Sequence, residues 1–151
     1  MQQRISLITL AVADMARSAA FYEALGWTRV DSPDGVIAFD LIGQTLGLYP
    51  KEALARDMGI PVSDIAGFSG ITLAHNVATK AEVRPLYRAA LKAGGRTIRE
   101  PHDIFWGGHI AYFADPDGHV WEIAHNPFSP LGPDGAFQWN GVTEDVRRDR
   151  P

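Results

Sequence analysis

The sequence predicts an α+β fold in which two βαβββ modules form a curved mixed sheet with a groove, the helices lying on the outer face. Three observations carry this expectation. The order strand, helix, three strands occurs twice along the 151 residues. Each helical segment opens on a residue able to cap it, and each module closes on an apolar strand entered through a glycine-containing turn. A sheet covered by a helix on one face must bury or use its other face, and two such sheets set side by side make a groove.

The elements follow in order. RISLITLAV, residues 4–12, alternates and is rich in apolar and β-branched residues, as a strand is. DMARSAAFYEALGW follows, with Asp14 as helix cap, Ala, Phe and Leu at helical spacing, and Gly26 as the stop. Three short strands are predicted near 27–31, 35–41 and 45–49, separated by SPDG and GQ turns. A linker over 51–68, carried by the stretch PKEALARDMGIPVSDIAG that leads to residue 69, reads as mobile. The order then returns: SGITLAHNV is a strand, and TKAEV opens a helix with a capping box from Thr79 to Glu82. Strands near 96–100, 109–114 and 119–125 complete the second half. The units are therefore a first module over 1–50, the linker, a second module over 69–126 and a C-terminal extension over 127–151. The extension is rich in Pro and Gly; its start is expected to pack through Phe128, Phe137 and Trp139, and its last ten residues to be disordered.

Composition narrows the function classes. A net charge of −4, with Lys and Arg scattered, gives no electrostatic case for nucleic acid. No run approaches the ~18 apolar residues of a membrane span, and MQQRISLITL lacks the regions of a signal peptide. The absence of cysteine removes disulfides, thiolate ligands and a cysteine nucleophile, and fits a cytoplasmic protein. GGH is no phosphate loop, since no P-loop or dinucleotide spacing surrounds it.

The chemistry concentrates in YFADPDGHVWEIAHNP, residues 112–127. Glu122 sits inside an apolar strand, where a charge costs free energy unless paired, bonded or metal-bound. The D-P-D-G turn favours a three-residue loop with a bulge, pairing Asp115 with His119, Tyr112 with Glu122 and Ile110 with Ala124. His109 then faces the helices; a two-residue loop would instead bring His109 beside Glu122. His75 and His125 are expected to point away from Glu122, and His119 to be exposed. Trp121 and Ile123 alternate with Glu122 and are assigned to the core. Trp106, on the Gly-flanked loop of IFWGGH, is suited to stacking on a flat ligand, with a core or dimer contact as the alternative. His102, in REPHDIF, stands at the groove mouth, where a solvated loop histidine is the plainer reading. Glu122 has three: recognition or proton transfer for a bound molecule, a paired structural group, or a metal ligand.

The repeat, the opening LAVADMARSAAFYEALGW and the closing FADPDGHVWEIAHNP together resemble the vicinal oxygen chelate superfamily over roughly residues 4–126. That group includes glyoxalase I, extradiol dioxygenases, fosfomycin-resistance thiol transferases and bleomycin-resistance binding proteins, so the fold alone selects no function. Its catalytic members hold a divalent metal with imidazole and carboxylate groups from the first and last strands of each module. The resemblance places those ligand positions at Leu7, Gly47, Gly70 and Glu122, of which Glu122 alone can bind a metal. No cofactor is therefore expected, a divalent metal being the alternative, with His109 or His102 as the further donors. The fosfomycin-resistance branch implies ligand contacts at Tyr112 and Thr9. The bleomycin-resistance proteins, which lack the metal ligands and bind their drug at a dimer interface, imply a homodimer and a small-molecule ligand. The expectation is a metal-free binder with Glu122, Tyr112, Trp106, Thr9 and His102 at the ligand. The alternative is a lyase, isomerase or dioxygenase-type enzyme with Glu122 as base or metal ligand, the sole catalytic candidate.

Overall fold

A computed structural model describes residues 1–141. The expected disorder of the last ten residues lies outside the described residues. Among them are seven strands and three α-helices: β1 Leu7–Val12, α1 Met15–Ala24, β2 Ile37–Asp40, β3 Thr45–Pro50, α2 Lys51–Met58, β4 Leu73–Asn76, α3 Lys80–Lys92, β5 Arg96–Asp103, β6 His109–Ala114 and β7 Val120–His125. They build two mixed sheets, of order β1-β3-β2 and β4-β7-β6-β5. In each sheet the first strand of the module pairs in parallel with its last, β1 with β3 and β4 with β7, and the other pairings are antiparallel. The α+β class and the repeated module order agree with the sequence reading.

Two segments differ from it. Residues 27–31 form no strand; they touch the sheet through one bridge, Val30 to Ala38. Trp27 is drawn instead into the core, where its ring stacks on Tyr22 at 5.1 Å. The linker is not structureless either. Its Lys, Glu, Ala, Leu and Arg favour a helix, α2, which Gly59 ends in a left-handed conformation (φ 70°), followed by a short 3₁₀ turn at Val62–Asp64.

One core serves both sheets. Leu10, Val12, Phe39, Leu46 and Leu48 from the first sheet join Phe113, Trp121 and Ile123 from the second, with Phe21 and Tyr22 of α1 and Val83, Tyr87 and Ala90 of α3 between them. Burying this apolar surface is the main stabilising term. The alternate residues of each strand are left on the face that carries no helix.

The modules are joined by a polar junction at the N-terminus of α1. Asp14 caps the helix through Arg17 N–H at 2.9 Å. Asp117, from the turn between β6 and β7, accepts from Ala13 N–H at 2.8 Å, from the Arg17 guanidinium at 3.0 Å and from the Ser18 hydroxyl. Asp115, only 3% exposed, accepts from the Tyr22 hydroxyl at 2.6 Å and from the backbone N–H groups of Asp117 and His119, both at 2.9 Å. Trp121 Nε1 donates to the Tyr22 oxygen at 3.2 Å. Asp14 thus satisfies an N–H that the helix start leaves unpaired, while Asp117 takes the N–H just ahead of the cap and its charge complements the positive dipole end. Burial, and then the charge of Asp115, push the Tyr22 phenol far up, so it stays a donor. His119 is not exposed as expected: its Nε2 lies 2.8 Å from the carbonyl oxygen of Ala11, half-buried at the same junction.

The C-terminal extension departs from expectation as well. Phe128 is 67% and Trp139 78% exposed, and Phe137 meets Trp139 edge-on at 6.4 Å rather than entering the core. Hydrogen bonds shape this segment instead: the buried Ser129 hydroxyl oxygen accepts from Asn140 N–H at 3.1 Å and from Asn126 Nδ2 at 3.2 Å.

Because Asp117 is nearly buried and holds three donors, Asp117→Ala strands them together. We expect it to lower the unfolding free energy by about 2–4 kcal/mol in urea titrations. Asp34→Ala, in an exposed turn, is expected to stay within about 0.5 kcal/mol. A loss at Asp117 no larger than at Asp34 would contradict the junction's role.

Candidate functional site

The turn between β6 and β7 fixes the geometry of the site. Asp115 N–H donates to His119 at 2.9 Å and Gly118, at φ 93°, takes the left-handed position, so the loop is Pro116–Asp117–Gly118. From there the register runs Tyr112 opposite Glu122, Ile110 opposite Ala124 and His109 opposite His125. This is the three-residue register read from D-P-D-G. Trp121 and Ile123 point into the core, and Glu122, Tyr112, Ile110 and Ala124 share the face without a helix.

On that face Glu122 stands between Ala74 of β4 and Tyr112 of β6. Both Glu122 and Tyr112 are half-buried. Burial, then hydrogen bonding and charge from Glu122, push the Tyr112 phenol up to about 12, while Arg99 pulls the other way. Tyr112 is therefore a neutral hydroxyl at physiological pH, able to donate beside a carboxylate. His102 pairs with Ile110 and so belongs to the same face. It lies on strand β5, half-buried, not on a solvated loop. Its Nδ1 is 2.8 Å from the Glu100 carbonyl oxygen, and its Nε2 is shielded from solvent with no hydrogen-bond partner.

The remaining sequence candidates are not gathered here. His109 lies on the helix side, its Nδ1 2.7 Å from Asp103, which also pairs with Lys80 of α3 at 2.6 Å. It is thus on the opposite face from Glu122. Trp106 is 37% exposed and folds back over its own loop, its ring lying where a Cβ on Gly108 would be, within 2.8 Å. That close approach is what the glycine permits, and it occupies the ring that was expected to stack on a ligand. Thr9 lies on the first sheet, exposed, beside Gly47, and shares no recorded hydrogen bond with the Glu122–Tyr112 row.

The donor set does not fit a metal. Leu7 is 55% exposed and presses its Cδ1 to 3.4 Å from where a Gly47 side chain would begin. Asp14 and Thr79 cap α1 and α3 at equivalent places, and the residue as far before Thr79 as Leu7 is before Asp14 is Thr72, not Gly70. Gly70 lies in a left-handed bend (φ 80°) ahead of β4, and the residue beside Glu122 is Ala74. Among the described residues no group of three or more His, Asp or Glu side chains is placed to hold a metal ion.

A separate hollow of about 110 Å³ opens on the helix side, lined by Tyr22, Trp27, His75, Leu86, Phe113 and Trp121 among others. It is mostly apolar and lies across the sheet from Glu122. No described helix is long and apolar enough to cross a membrane.

Repeat, junction and hairpin together have a counterpart in known proteins. The model of the Glyoxalase/Bleomycin resistance protein/Dioxygenase superfamily matches residues 4–123. The chain belongs to this superfamily. A glyoxalase-related enzyme from Fulvimarina pelagi is 38% identical, with a TM-score of 0.84 over 91% of this chain and 99% of that one. A glyoxalase/bleomycin resistance protein/dioxygenase family enzyme from Burkholderia phytofirmans is 23% identical, with a TM-score of 0.70 over 81% and 98% of the chains. A lactoylglutathione lyase from Agrobacterium tumefaciens shares the fold at 20% identity and a TM-score of 0.64, over 83% and 96%. No curated protein matches the chain.

The raised phenol can be read directly. A group whose folded pKa is raised contributes stability that is full below its unfolded pKa and is lost as pH rises through the folded one. For Tyr112 that window runs from 10 to about 12. In absorbance titrations the difference between the parent and Tyr112→Phe is expected to centre near the upper end of this window, and to move down in Glu122→Gln. A difference centred at 10 would contradict the contact.

Proposed function

We propose that the open face of the second sheet binds a small organic molecule and that no metal is built into the site. The observation that carries this reading is Glu122: a carboxylate in an apolar strand, without an ion pair among the described residues, with the Tyr112 hydroxyl beside it. A half-buried carboxylate of this kind has a desolvation cost that a donor on a ligand offsets. His102 adds an unpartnered polar atom, Nε2, on the same face. Leu7 and Gly47, at two of the expected ligand positions, offer a metal no donor atom.

We take the groove to be completed by a second copy of the chain. Leu7, Phe68, Phe105, Phe128 and Trp139 are exposed in one copy, apolar side chains that such an interface would cover. Sedimentation at micromolar concentration separates monomer from dimer.

An enzymatic reading is favoured by one observation, the pairing of a carboxylate with a phenol held neutral. Glu122 would take a proton from a carbon acid while the Tyr112 hydroxyl donates to the oxygen on which charge develops. The relation to a glyoxalase-related enzyme at 38% identity supports it. Both readings place Glu122 at the ligand.

The test is a ligand screen by thermal shift on tag-free protein, with metal content measured in parallel. Glu122→Gln is expected to weaken binding of hits by about tenfold or more and to leave metal content unchanged. If the parent carries one metal per chain and Glu122→Gln empties it, the metal-free reading fails.

A further inference from the structure

The edge strand β5 reaches the Tyr112–Glu122 row by an irregular ladder. Thr97 pairs with Phe113, but the next pair is Arg99 with Tyr112, so β5 advances two residues while β6 advances one. Side chains alternate faces with a period of two, so such a bulge changes which residue reaches which face. Thr97 is on the helix side, its hydroxyl 2.7 Å from that of Tyr87. In a regular ladder Ile98 would stand beside Tyr112 on the open face. The bulge puts Arg99 there instead. A second irregularity, between Arg99 and His102, restores His102 opposite Ile110.

The open face therefore carries a row across four strands: Ala74, Glu122, Tyr112, Arg99. Its two charged members, Glu122 and Arg99, have opposite sign, and the Tyr112 hydroxyl lies between them. Arg99 has no ion pair with any described residue. It stands opposite Tyr112 in the ladder, and its charge acts on the phenol in the sense opposed to Glu122. Bulges concentrate beside functional sites, where they re-aim side chains. A guanidinium is a planar fork of donors matched to a carboxylate, and Glu122 repels the same group, so the row fixes orientation as well as composition.

We propose that Arg99 is the specificity-determining residue of this face and that the row selects small hydroxycarboxylic acids, the carboxylate at Arg99 and the hydroxyl at Glu122. The inference rests on the ligand-binding reading of the groove and names its ligand class. The Tyr112 hydroxyl, between the two ends, donates to whichever ligand oxygen lies over it.

The test uses 4-hydroxybenzoate, with a hydroxyl and a carboxylate at opposite ends of one rigid ring, and its uncharged counterpart 4-hydroxybenzamide. Affinities are measured by calorimetry for the full chain, Arg99→Met, Arg99→Lys and Glu122→Gln. The parent is expected to prefer the acid by about tenfold. Arg99→Met loses that preference, the acid falling toward the affinity of the amide, and Arg99→Lys recovers part of it. Glu122→Gln weakens both probes. Equal binding of acid and amide by the parent, or a preference that survives in Arg99→Met, overturns the assignment of Arg99 and leaves the groove reading standing. Binding of neither probe by the parent overturns both.

Discussion

Two carboxylates in one turn tie the two modules of this molecule to each other. Asp117 reaches from the second module to the first turn of α1, accepting from Ala13, Arg17 and Ser18, and Asp115 bonds Tyr22 from within the same turn. Each is offset for its burial by several donors, the condition under which a buried charge is tolerated. The junction also explains why the two signature stretches occur together. The opening AVADMARSAAFY supplies the donors and the closing FADPDGH supplies the acceptors, so neither is complete alone.

The site depends on that junction through the hairpin. Asp115 closes the loop by accepting from Asp117 and His119, and the loop sets the register that brings Tyr112 beside Glu122. On the other side of the same strand, Trp121 is tied to Tyr22. A slip of one residue would turn Glu122 into the shared core and Trp121 to the open face. The polar face is therefore precise because its reverse side is clamped, and a rigid strand is a better platform for recognition than a loop.

Much of this was legible in the sequence where the determinants are local. The caps at Asp14 and Thr79, the stop at Gly26 and the hairpin register follow from a few neighbouring residues. What the sequence hid is non-local. Nothing near Asp117 announces partners more than 90 positions away, which is why His119 read as exposed. Residues 27–31 looked like a strand because pattern cannot weigh pairing against the pull of Tyr22 on Trp27. The facing of Arg99 could not be read, because it depends on a bulge and a regular alternation puts it on the other side. His102 was undervalued for a related reason: a longer β5 than expected carries it onto the sheet. Trp106 and Thr9 followed from residue type and resemblance; the structure adds that the Trp106 ring folds over Gly108 and that Thr9 lies on the first sheet.

The central claim is that ligands meet the open face of the second sheet and not the aromatic hollow behind it. Chemical-shift mapping of a small polar fragment library on the isotope-labelled chain separates the two most directly. Fragments are expected to perturb the backbone amides of Arg99, Tyr112 and Glu122 and to leave those of Leu25, Trp27 and Leu86, which line the hollow, in place. Perturbations confined to Leu25, Trp27, His75 and Leu86 would contradict it and move the binding site to the helix side.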